Sequence, residues 1–109
     1  MTVDDVRELV SSQSEDQLST KNGHGVTLRQ ALEPPRRICV ILRTVQEGSV
    51  VDEEQTVWVV GSEPSEDGYW IVMREDGLEF GLASSGFPGD EHPILVGWYG
   101  GLTSAFLDM

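Results

Sequence analysis

The apolar positions of the chain fall into five short runs with strand-like character, framed by stretches of helical spacing at both ends. The densest run is Ile38–Val45, Ile-Cys-Val-Ile-Leu-Arg-Thr-Val. Its β-branched residues suit a pleated sheet, and Pro34-Pro35 just upstream stops a helix from running into it. Ile38, Val40 and Leu42 fall on one face; Cys39, Ile41 and Val45 fall on the other, with Arg43 among them. Both faces are largely apolar, which predicts a central strand covered on each side.

Thr56–Val60, Tyr69–Arg74, Leu78–Ala83 and Ile94–Tyr99 read as four further strands. Asp76-Gly77 between two of them is a strong hairpin signal. Leu78, Phe80 and Leu82 alternate with Glu79 and Gly81, so that strand is expected to be half-exposed and to form an edge. Trp58 and Trp70 are expected to pair across adjacent strands.

Helices are predicted on either side of the sheet. Val3, Val6 and Val10 share a face over residues 3–10, with Thr2 as N-cap and Asp5 in the capping-box position. Residues 11–25 are polar and read as a loop. Leu28, Ala31 and Leu32 group on one side of a second short helix capped by Thr27. Leu102, Ala105 and Phe106 mark a last helix that survives only if it packs.

The fold class expected is α+β: an antiparallel meander sheet of about five strands, with short helices at the N- and C-terminal ends. A small SH3-like barrel made by the same meander is the competitor. Residues 1–109 read as a single domain. A helical segment spans 1–33, the sheet spans 36–99 and the short helix spans 102–109.

Composition adds that a core forms without metals or disulfides, since 39% of residues are hydrophobic and three are Trp. Cys39, the lone cysteine, has no internal partner and reads as an inert thiol inside the central strand. A signal-peptide pattern and an apolar run of about 18 residues are both missing, so a soluble, cytoplasmic protein without a membrane role is expected. The formal charge of −12 repels a phosphate backbone and disfavours nucleic acid. It attracts a basic protein.

Two stretches offer candidate chemistry. From Glu47 to Asp67 there are seven acids and no base: Glu47, Asp52, Glu53, Glu54, Glu63, Glu66 and Asp67. They are expected in the two loops flanking Thr56–Val60, as surface for a basic partner, and their spacing does not match a calcium loop. The second stretch is the Ser84–Pro93 loop, where Phe87 offers a binding anchor and Asp90, Glu91 and His92 offer polar contacts. With Ser84 or Ser85, these residues make a nucleophile, base and acid by type, although no Gly-x-Ser-x-Gly elbow is present. His24 and His92 lack the Cys/His spacing of zinc sites, and no Gly-rich phosphate loop occurs. Arg36, Arg37 and Arg43 read as partners of nearby acids.

The expectation is therefore a small acidic interaction module without catalytic residues, cofactor or metal, of the kind that inhibits a basic partner. The alternatives are a small enzyme or ligand-binding domain using the 84–93 loop, and a homo-oligomer subunit that pairs with itself through its edge strands.

Overall fold

Capping boxes start the N-terminal helices. The computed structural model describes residues 2–23, 25–62, 69–77, 79–84 and 92–108. Thr2 caps α1 (Val3–Ser11): its hydroxyl accepts from the Asp5 N–H, and the Asp5 carboxylate accepts from the Thr2 N–H. Ser14 with Gln17 starts α2 (Glu15–Leu18), and Thr27 with Gln30 starts α3 (Leu28–Ala31), in the same reciprocal way. α2 lies in the stretch expected to be a loop. One turn carries too little apolar periodicity to show in sequence, but Ser-x-x-Gln supplies its start.

β1 (Leu32–Gln46) and β2 (Ser49–Ser62) are far longer than the runs that predicted them. They form one hairpin through Glu47-Gly48, whose φ angles are 52° and 79°. A two-residue turn with both φ positive has the twist of the strands it joins. The register slips between Leu32 and Arg36, so Pro34 and Pro35, which lack N–H donors, sit at an irregularity. Asp52, Glu53 and Glu54 are strand residues rather than the loop residues expected. Pairing along β1 outweighs the low intrinsic strand preference of acids.

β3 (Trp70–Arg74), β4 (Phe80–Ser84) and β5 (Ile94–Gly100) continue the meander, each antiparallel to the strand before it. The Asp76-Gly77 signal is met: Gly77 has φ 76°, and its N–H donates to the Arg74 carbonyl at 2.9 Å. The sheet then closes into a barrel through β1 and β5. Five alternating strands return in the direction in which they started, so the closing seam is parallel, with Ile41 beside Ile94. The Ile41 N–H donates to the Pro93 carbonyl across it at 2.8 Å. The open antiparallel sheet is thereby corrected and the competing small barrel fits: the structure is a closed barrel, mixed rather than purely antiparallel because of its one parallel seam.

Closure changes where side chains go. Val40, Val57, Val59, Val72, Ala83 and Leu95 fill the barrel, with Trp70 and Trp98 packed against them. A second core lies outside the wall. There Trp58, Val60, Ile71, Met73 and Leu82 meet Val6 of α1, Leu28 of α3, and Leu102 and Phe106 of α4 (Leu102–Leu107). The two-sided apolar character of Ile38–Val45 thus reflects a wall with one face inside the barrel and the other outside it. Trp58 and Trp70 do not pair. Trp58 stands opposite Met73 on the outside and Trp70 packs inside. β4 is no edge either; it lies between β3 and β5, and Phe80 to Ala83 are buried. Among the described residues, no helix is long and apolar enough to cross a membrane.

Candidate functional site

The distal part of the β1–β2 hairpin extends past the strands that close the barrel. Leu42 to Gln46 pair with Glu53 to Ser49, and among the described residues neither segment has a second strand neighbour. At about 3.3 Å per residue this arm is roughly 16 Å long. The molecule measures 45 × 31 × 22 Å.

Val45 stands opposite Val50 near the tip, and their exposures are 73% and 64%. Val51 is exposed on the other face, opposite Thr44. Four of the acids singled out from sequence lie here. Glu47 is in the turn, Asp52 and Glu54 share the face of Val45 and Val50, and Glu53 points the opposite way. Arg43 sits directly across from Asp52 and grips it with two bonds, Nε to Oδ1 at 2.8 Å and Nη2 to Oδ2 at 3.0 Å. That guanidinium holds the Asp52 carboxyl below the usual carboxylate range. Glu47, Glu53 and Glu54 are the further acids the arm offers. The first of the two expected acidic loops is therefore strand: Asp52, Glu53 and Glu54 lie along β2, and Glu47 is in the hairpin turn. Glu63, Glu66 and Asp67 lie outside the described residues.

Most of the Ser84–Pro93 loop also lies outside them, including Ser85, Phe87, Asp90 and Glu91. Ser84 ends β4 and is half-buried, as is His92 at the approach to β5.

The seam brings His92 to a place the spacing of the chain did not indicate. Ile41 is beside Ile94 in a parallel pair, so Cys39 and His92, each two residues earlier, stand abreast. Glu54 pairs with Ile41 from the other side. Cys39, Ile41 and Glu54 share the outer face of the wall, since Val40 between them points inward. One ligand atom each from Cys39, Glu54 and His92 all lie within 4.8 Å of one another. Cys39 is half-buried rather than enclosed in the core, and Glu54 is exposed. Residues on three strands meet here, which sequence spacing cannot show without the barrel's closing register.

An open cleft of about 470 Å³ is lined by Gln55, Val57, Arg74, Glu75 and Trp98 among others. Arg74 is held there by Asp76 at 3.1 Å and Glu79 at 3.0 Å. Arg36 and Arg37 behave as expected, pairing with Glu33 at 3.6 Å and Glu75 at 3.8 Å. Each also covers a tryptophan: Arg36 lies 5.7 Å from the Trp70 ring centre and Arg37 lies 4.9 Å from that of Trp58. No family model, curated protein or solved structure matches this chain.

Proposed function

We propose that the protein is a non-enzymatic interaction module and that the β1–β2 arm is the part that meets its partner. The observation that carries this reading is the exposed Val45–Val50 pair near the tip of a projecting hairpin, with Glu47 in the turn beside it and Glu53 and Glu54 further along β2. A short apolar centre with acids near it fits the core-and-rim anatomy of a protein interface. The charge selects the partner's chemistry: a shallow apolar groove bordered by Lys and Arg. With a net charge of −12, long-range attraction speeds encounter and makes association sensitive to salt. An acidic arm seated in a basic cleft would block that cleft, which is the action of an inhibitor.

The test is capture from the lysate of the source cells at low and high salt, using the wild type and a Val45→Ser/Val50→Ser variant. Both substitutions are on exposed positions, so the barrel is expected to stay folded. The expected result is a basic protein retained by the wild type, released by salt and lost by the variant. A retained protein that ignores both salt and the variant would overturn the arm as the binding element. Self-association through the arm is the competing outcome, and elution volume on a sizing column separates it.

A further inference from the structure

The geometry points to a binding site for one divalent transition-metal ion of the Zn²⁺ class at the base of the arm, with the Cys39 thiolate, a ring nitrogen of His92 and the Glu54 carboxylate as ligands. The three donor atoms lie within 4.8 Å of one another. Tetrahedral zinc holds its nitrogen, oxygen and sulfur ligands at about 2.0–2.3 Å, which sets donors about 3.5 Å apart. Small side-chain adjustments therefore close the triangle around one ion. Glu54 is exposed, so its side chain is free to turn toward the other two, which are half-buried.

The compact triangle also argues against the other chemistry these residue types suggest. In a thiol–imidazole–carboxylate relay, the thiol and the carboxylate use opposite nitrogens of the ring and stand on either side of it. Here the sulfur, a carboxylate oxygen and one ring nitrogen all lie within 4.8 Å of one another, closer than a thiol and a carboxylate on opposite sides of an imidazole can stand. Donors converging on one point suit coordination.

The donor set selects the metal. One thiolate, one imidazole and one carboxylate favour Zn²⁺ and its neighbours over Mg²⁺ or Ca²⁺, which require oxygen. Binding displaces the Cys39 thiol proton to solvent. The placement suggests what the ion does. His92 leads into β5, Cys39 is in β1 and Glu54 is in β2, so one ion ties three neighbouring strands across the closing seam. Among the described residues that seam is registered at Ile41 and Ile94 alone, whereas β1 and β2 pair without a break from Arg36 to Gln46. An ion there clasps the barrel where it is least paired.

The experiment is a titration of the metal-free full chain with Co²⁺, then competition with Zn²⁺, with melting temperature followed in parallel. The expected result is a thiolate-to-cobalt charge-transfer band and tetrahedral d–d bands that saturate at one equivalent, vanish on adding Zn²⁺, and accompany a rise in melting temperature. Glu54→Gln changes only an exposed group and is expected to weaken binding by at least the ~10–100-fold that loss of an outer-shell partner costs a metal site. Cys39→Ser removes the charge-transfer band. Glu53→Gln, on the opposite face of the same strand, leaves affinity unchanged. Failure to form the charge-transfer band, or equal losses in Glu53→Gln and Glu54→Gln, would overturn the site.

Discussion

Arg36 and Arg37 are neighbours in the chain, yet one covers a tryptophan of the barrel interior and the other a tryptophan of the outer core. Successive strand residues face opposite ways, and here both faces are packed. The same closeness makes Gly81 irreplaceable. A Cβ there would lie 2.2 Å from the Gly97 carbonyl oxygen and 2.8 Å from the Trp98 ring, so β4 and β5 would have to part. Gly81→Ala is expected to cost about 1–3 kcal/mol, the range for overpacking. Gly23→Ala meets nothing within 4 Å and serves as the control for the same denaturant-midpoint measurement. Asp52 offers a second test. Its carboxyl is held below the ordinary value by Arg43, so the pair's contribution is fully present above that ordinary value and is lost as pH falls through the lower folded one. In an NMR titration, Asp52 is expected to protonate later than a free carboxylate on acidification, and Arg43→Ala to return it to the ordinary range. An Asp52 curve that Arg43→Ala leaves in place would show that the guanidinium is not the cause.

At the scale of elements, the shortest segments depend most on tertiary contact. α4 is under two turns long and has no side-chain N-cap bond, so its intrinsic stability is small. Even so, Phe106 and Ala105 are fully buried and Leu102 nearly so, packed among Ile71, Met73 and Leu82 of the wall. Phe106→Ala is expected to lose about 3–5 kcal/mol, comparable with the whole stability of many small domains. Deleting residues 102–109 is expected to unfold the barrel rather than trim it; an unchanged melting temperature would refute this. α1 differs from expectation in detail. Val6 is its buried anchor with Leu9 and Val10 beside it, while Val3 is exposed at the first turn. Helical spacing identified the face but not how far the outer core reaches along it.

For the molecule as a whole, charge and closure set the behaviour. With 19 acids against 7 bases, self-repulsion opposes the compact state. Melting temperature is therefore expected to rise as salt increases from about 10 mM to about 150 mM, because the screening length falls from roughly 30 Å to 8 Å. A melting temperature that falls over this range would mean that the ion pairs Arg43–Asp52, Arg74–Glu79 and their like outweigh the net repulsion. Closure has the larger structural effect. An odd number of alternating strands cannot close without a parallel seam, and that seam sets Cys39 beside His92. It also removes β4 as an edge for self-association.

Local pattern alone determined much of this protein. The five strand runs, the Thr2 and Thr27 caps, the Asp76-Gly77 turn and the packing face of the last helix all follow from side-chain period, capping chemistry and backbone freedom, which act within a few residues. The acidic character and the neutralising role of Arg36 and Arg37 were legible in the same way. Tertiary structure decided the rest, because it depends on which distant segments become neighbours. Strand pairing drew Asp52, Glu53 and Glu54 out of an expected loop and into the long β1–β2 hairpin. A residue's face is fixed only once register is known, and the irregularity between Val59 and Gly61 lies between the two tryptophans expected to pair. The Cys39, Glu54 and His92 triangle is the clearest case. Each residue is unremarkable in its own segment, and only the closing register of β5 on β1 brings the three donors together.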